Sequence, residues 1–316
     1  MKEVLFEIGP FTIYGYGFMV ALGVLAAFLV GMYREKKYEI GDDQIFSLGL
    51  WCLVCGWGAA KVLFIITELP TLFENPKYFL ETLASGFVVY GGLIGGVLTG
   101  YVFCRVKKLP FLQYFDLVMP SVALAQAVGR FGCLMAGCCY GKATESVFHI
   151  IFPVSCNYAP GGVPLIPTQL ISAAANFLNF FVLLFFAKRT KSNGQVGGLY
   201  LIFYSIGRFI IECFRDDPRG NVGPLSTSQF IAIFMLIAGI AIYVYCGKKY
   251  PKKAGKTEEA QSTEAGTEEA QEPEKEEQEE ENTEEGTETG EKSAPRQETE
   301  SEKEAEPEKE TEGDAR

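Results

Sequence analysis

The chain has 316 residues and a formal net charge of −11, but residues 254–316 alone hold 25 acidic and 7 basic side chains, net −18, which leaves residues 1–253 at +7. That acidic end contains no Phe, Tyr, Trp, Leu, Ile, Val or Met, so nothing in it offsets the entropy of ordering a chain. A single acidic soluble domain is excluded, and so is nucleic acid as an obvious partner.

Seven stretches in the body are long and apolar enough to cross a hydrocarbon core, which needs roughly 20 helical residues. They fall near 11–33, 45–67, 86–104, 113–135, 168–187, 196–214 and 228–246. Basic residues follow the odd-numbered stretches in tight groups: Arg34, Lys36 and Lys37; Arg105, Lys107 and Lys108; Lys188, Arg189 and Lys191; Lys248, Lys249, Lys252 and Lys253. The opposite side holds Lys2, Lys77, Lys142, Arg215 and Arg219. Because Lys and Arg near span ends stay on the cytoplasmic side, the N-terminus is expected outside and the C-terminus in the cytoplasm. Only Lys2 precedes the first apolar run and no small-residue cleavage pattern ends it, so that run reads as a permanent anchor. The expected organisation is an all-α, seven-helix membrane domain over 1–250 with outer insertions at 136–167 and 215–227, then a disordered acidic cytoplasmic tail over 251–316.

Of the nine cysteines, Cys52, Cys55, Cys104, Cys133, Cys213 and Cys246 fall within or at the ends of spans, where cysteine is usually a small apolar filler. Cys138, Cys139 and Cys156 fall at or beyond the outer face. No metal site is expected from this spacing, because four thiolates would have to converge.

Ionised groups at membrane depth are costly and therefore point to function. Arg130 lies in the fourth stretch and Arg208 in the sixth, with Glu212 at the i+4 spacing that lets side chains meet on one helix face. An Arg208–Glu212 structural pair with a snorkelling Arg130 is one reading. The other is a cavity that holds an anionic lipid head group, because the guanidinium fork matches phosphate oxygens and stays charged. Glycines at 91, 92, 95 and 96 open the third stretch, and Gly129, Gly132, Gly137 and Gly141 punctuate the end of the fourth. The latter run reads as a broken helix end that lines a site.

At these residues the sequence resembles the bacterial prolipoprotein diacylglyceryl transferase family. The matching pieces, in order, are Tyr16-Gly17-Phe18-Met19; Tyr90-Gly91-Gly92-Leu93-Ile94-Gly95; Gly129-Arg130-Phe131-Gly132-Cys133 running on to Gly141; Pro167-Thr168-Gln169-Leu170; Tyr204 to Arg215; and Leu225-Ser226-Thr227-Ser228-Gln229. The resemblance implies transfer of diacylglyceryl from phosphatidylglycerol to the lipobox cysteine thiol of a preprolipoprotein, without a cofactor, at the outer leaflet of the bacterial cell membrane. It implies Arg130, Arg208 and Tyr90 as catalytic residues. Substrate binding would then fall to Arg130, Tyr16, Gly91, Gly92, Gly129, Gly132, Cys138, Gly141, Gln169, Tyr204 and Glu212. The chain departs from the family at Tyr90, where the family has His, at Cys133 (Asn) and at Cys138 (Glu). Ile166 likewise replaces a His, and Ile171-Ser172 a Tyr-Glu pair. With those groups missing, removal of the acceptor's proton is expected to fall to Tyr90, to a Cys138 or Cys139 thiolate, or to water. A lipid transferase of the same fold with a different acceptor, and a non-enzymatic transporter or thiol protein, are the alternatives.

Overall fold

The computed structural model describes residues 4–8, 11–38, 43–74, 77, 82, 86–217 and 220–249; the acidic tail expected over 251–316 lies outside the described residues. The body is mostly helical: α1 (Gly15–Lys37), α2 (Gln44–Thr67), short α3 (Leu69–Glu74), α4 (Val89–Val106), α5 (Phe111–Ala136), α6 (Thr168–Arg189), α7 (Gln195–Glu212) and α8 (Thr227–Lys249). It is not wholly α. Among the described residues three two-stranded antiparallel pairs lie outside the long helices: β1 (Val4–Ile8) with β2 (Phe11–Tyr14), β3 (Ile150–Ile151) with β4 (Pro164–Leu165), and β5 (Asn221–Val222) with β6 (Leu225–Ser226). The first pair corrects the start of the first span. Phe11–Tyr14, expected to be helical, instead completes a hairpin, and the helix begins at Gly15.

Among the described residues six helices, α1, α2, α4, α5, α6 and α8, are long and apolar enough to cross a membrane. Their outward faces carry large apolar side chains such as Trp57, Ile94, Leu178 and Phe181, each more than 60% exposed; such a surface is tolerable against lipid and not against water. The 18-residue α7 is more polar, containing Gln195, Gly197, Gly198, Ser205, Arg208 and Glu212.

Helix α5 is the centre of the bundle, packed on α1, α6 and α7; α2 pairs with α4, and α7 with α8. Two buried carboxylates fix the junctions by accepting N–H groups that a helix start leaves orphaned. Glu35 at the end of α1 accepts from the backbone of Gln44 (2.9 Å) and Ile45 (3.0 Å) at the start of α2. Asp116 of α5 accepts from Gly194 and Gly197, both at 2.8 Å, at the start of α7. Pro120 inside α5 has no N–H for the carbonyl of Asp116, four residues earlier. Arg34 Nη1 lies 3.5 Å from that carbonyl and also donates to Leu117 O. Arg34, counted above among the loop cations, is thus buried against α5. Asp116→Ala would strand two buried donors and is expected to destabilise the folded protein by about 2–6 kcal/mol at about 1–3 kcal/mol per orphaned group, read as a lowered thermal midpoint in detergent.

The 136–167 insertion has a small core of its own, Phe152, Ala159 and Leu165, against which Leu134, Tyr140, Ile150, Cys156 and Val163 pack.

Candidate active site

The fourth span does not break at its glycines. Helix α5 continues through Arg130 to Ala136 and stops at Gly137, whose φ of +72° is the left-handed cap that glycine adopts without a Cβ penalty. Arg130 therefore projects from regular helix. It shares a cavity of about 310 Å³ with Arg208 of α7, walled by α6 through Ser172, Asn176 and Asn179 and by Phe203 and Tyr204. Leu178, Phe203 and Ile206 also line it and are exposed on apolar helix faces, so the cavity opens sideways between helices.

Arg208 is held on two sides: Nη1 is 3.0 Å from Glu212 Oε2, and Nη2 donates to Ser228 Oγ of α8 at 2.8 Å. The predicted i,i+4 pair is present, and Ser228 is an addition that spacing alone does not reveal. Tyr204 stacks on Tyr200 at 5.7 Å between centroids, and Tyr200 donates to Gln126 of α5 at 3.0 Å. One wall of the cavity is conspicuously unsatisfied. Asn179 is 6% exposed, and neither Nδ2 nor Oδ1 of its amide has a hydrogen-bond partner among the described residues. Sequence reasoning passed over Asn176 and Asn179, although two amides three residues apart on one face of an apolar helix are a usable signal of a lined cavity.

The remaining candidates separate by role. Tyr16, in the first turn of α1, is within electrostatic reach of Arg130 and of Cys133, Cys138 and Cys139. Gln169 is buried and donates to Cys138 O at 2.8 Å, tying the start of α6 to the loop after α5. Gly91 and Gly92 face α2, and a Cβ at Gly91 would stand 2.6 Å from Ala59 O. Gly132 faces α1 in the same way, and a Cβ at Gly141 would meet Ile166 O at 2.6 Å. Gly91, Gly132 and Gly141 are thus sites of close backbone approach, whereas a Cβ at Gly92 would make ordinary contact at 3.4 Å. Gly129 differs, with open space where its side chain would be. Gly141→Ala is therefore expected to cost about 1–3 kcal/mol of stability. Gly129→Ala, in a helix interior with room for the methyl group, should not lower the thermal midpoint, so any loss of activity there reports contact with substrate. Tyr90 stands in the first turn of α4, the helix that pairs with α2, and is absent from the cavity lining.

Two residues stand differently from what their place in the sequence suggests. Arg215, one of the cations assigned to the outer side, is only 8% exposed and forks onto Asp217 at 2.9 and 3.1 Å. Cys133, read as filler, is drawn into a cluster: its sulfur and those of Cys138 and Cys139 lie within 4.8 Å of one another. The reversal of the chain after Gly137 brings them together, with Cys138 N–H donating to Cys133 O at 3.1 Å. Hydrogen bonds with the Cys133 and Cys138 thiols, then the charges of Arg215 and Arg130, bring the Cys139 thiol below the ordinary thiol range. Cys138 is pushed up by its hydrogen bonds with the other two and by burial. No disulfide links any of the nine cysteines.

An apolar helical bundle with two guanidiniums lining one laterally open cavity defines a multi-pass membrane protein with a cationic site among its helices. Comparison with known proteins narrows that class. The sequence matches the family model of prolipoprotein diacylglyceryl transferase over residues 3–245, and the chain belongs to that family. It is 45% identical over 243 residues to the phosphatidylglycerol–prolipoprotein diacylglyceryl transferase of Clostridium tetani, covering 77% of this chain and 97% of that one. It is 44% identical over 257 residues to the second such enzyme of Clostridium perfringens, covering 81% and 100%. With the Finegoldia magna enzyme it shares 33% over 260 residues, covering 82% and 100%.

Proposed function

We propose that this protein moves the diacylglyceryl unit of phosphatidylglycerol onto the lipobox cysteine thiol of a preprolipoprotein. The observation that carries the reading is the single cavity in which Arg130 and Arg208 face an apolar, laterally open space. The donor is a membrane anion, so it enters from the bilayer with its phosphate toward the guanidiniums and its acyl chains among residues such as Leu178, Val182 and Phe203. Attack by the acceptor sulfur on the glyceryl carbon forms the C–S bond, breaks the C–O bond and leaves negative charge on the departing glycerol phosphate. Fixed cations placed where that charge develops lower the barrier. Glu212 and Ser228 keep Arg208 oriented for this task, and the Asn179 amide donates through Nδ2 to an ester oxygen of the lipid and accepts through Oδ1 from a hydroxyl of its head-group glycerol.

Tyr90, a catalytic residue by resemblance, does not line the cavity; in this reading the acceptor loses its proton beside Arg130, where Cys133 and Cys139 act on the guanidinium and Cys138 lies with them. Tyr16 and Gly129 flank the same end of α5. The reading includes α7 as a seventh crossing: its 18 residues span about 27 Å at 1.5 Å per residue, and its charged pair turns to the cavity and α8 rather than to lipid. With the basic groups after α1, α4, α6 and α8 in the cytoplasm, the N-terminus is outside, the cavity opens toward the outer leaflet, and the domain ends near residue 250 with the acidic tail in the cytoplasm.

Complementation tests it. Expressed in bacteria depleted of their own transferase, the parent chain should restore lipoprotein maturation, seen as a gel-mobility shift and the added lipid mass. A well-expressed parent that fails to restore it would overturn the reading.

A further inference from the structure

We infer that Cys133, Cys138 and Cys139 form a three-thiolate site for a zinc-class divalent cation, one coordination position being left for the thiol of the acceptor. The role of that open position rests on the transferase reading; the metal site itself does not.

The geometry is close to what such an ion needs. A Zn–S bond of about 2.3 Å in a tetrahedron sets the sulfurs about 3.8 Å apart. The three here lie within 4.8 Å of one another, so closing on a cation requires shifts of about 1 Å or less, within the range of side-chain rotation. The backbone is held for it. Cys139 has a φ of +64°, a left-handed conformation that non-glycine residues seldom adopt. It is kept there by α6, whose Thr168 Oγ1 donates to Cys139 O at 2.7 Å while Gln169 Nε2 donates to Cys138 O at 2.8 Å. A strained residue that neighbouring structure over-determines is typical of a functional site.

The electrostatics agree. Three thiolates and a dication leave one net negative charge, and Arg130 and Arg215 both act on Cys139, although Arg215 also serves Asp217. Three protein ligands with one open position is the pattern of catalytic rather than structural zinc. A thiol that coordinates such an ion is deprotonated outright. Its proton passes to solvent on binding, and the sulfur's electron pair then forms the C–S bond as the C–O bond breaks and the phosphate oxygen takes the bonding pair. The thioether product leaves the ion, and the position reopens.

The full chain, purified in detergent with a tag free of histidine, should carry about one zinc by elemental analysis. Removing it with a chelator should expose about three further thiols to a thiol reagent, a readout independent of any variant. Cys133→Ser, Cys138→Ser and Cys139→Ser should each lower the zinc at least several-fold, and Cys246→Ser should not. Cobalt(II) in place of zinc should give a thiolate charge-transfer band that shifts when a lipobox peptide is added and not when its cysteine is replaced by serine. Zinc content that is negligible in the parent, or equal in parent and cluster variants, overturns the site. So does the absence of a thiolate band when cobalt(II) is added to reduced protein, or thiols that are missing in pairs because the cysteines are oxidised. A cobalt band indifferent to the cysteine peptide overturns the open position alone. Loss of complementation with the metal still bound would count against the transferase reading and leave the site standing.

Discussion

Arg130→Ala is expected to lower lipid transfer by about 10²–10³-fold, the usual consequence of removing one preorganised group that stabilises a developing negative charge. Arg208→Ala should cost a comparable factor. Because both guanidiniums line one cavity, they are expected to act on one phosphate, and the double variant should lose far less than the product of the two single losses. Arg130→Lys keeps the charge and loses the planar fork, so its activity should lie between parent and Ala. Arg208 already spends its fork on Glu212 and Ser228, and a lysine cannot reach both; Arg208→Lys should therefore be nearly as damaged as Arg208→Ala. The measurement is transfer of radiolabelled lipid to a lipobox peptide by purified, monodisperse protein. Full transfer by Arg130→Ala would remove the arginine from the reaction and with it the cavity as the active site.

Asn179 should show effects of opposite sign on stability and activity. Its amide is buried with both polar atoms unpartnered among the described residues, and an unsatisfied buried group costs about 1–3 kcal/mol. Asn179→Leu removes that cost and is expected to raise the thermal midpoint in detergent while transfer falls about tenfold or more. Asn179→Asp should be worse, because a carboxylate in this cavity either repels the lipid phosphate or pairs with the arginines meant for it. At about 6 Å and an effective dielectric near 20, such a charge interaction is worth about 3 kcal/mol, or roughly a hundredfold. Unchanged transfer in both variants would mean that the lipid never touches this wall. A stabilised but inactive Asn179→Leu would identify the missing hydrogen bonds as places kept for substrate.

The features legible beforehand share a short range. The seven apolar stretches end within a few residues of the helices, because a run of about 20 apolar residues has one favourable place to be. The Arg208–Glu212 pair follows from spacing, since positions four apart face one another on any helix. The hairpin at Phe11–Tyr14 was not legible: four aromatic and β-branched residues next to an apolar helix suit either conformation, and pairing with Val4–Ile8 decides between them. Asn176 and Asn179 were submerged in the average hydropathy of their span.

The sequence by itself determined that this chain is a bundle of apolar helices with charged residues at membrane depth, because dehydrating an unpaired charge or a bare backbone costs several kcal/mol wherever it occurs. Only the tertiary structure decided which of those residues meet. Arg130 and Arg208 are 78 positions apart, and their convergence depends on how α5 and α7 are rotated about their axes. Asp116 beneath the start of α7 and the Tyr200–Gln126 bond set that rotation. Cys133 reaches Cys138 and Cys139 only because α5 stops at a left-handed glycine and α6 grips the returning loop through Thr168 and Gln169. Periodicity tells each helix which face is apolar; contacts between helices decide what that face is turned toward.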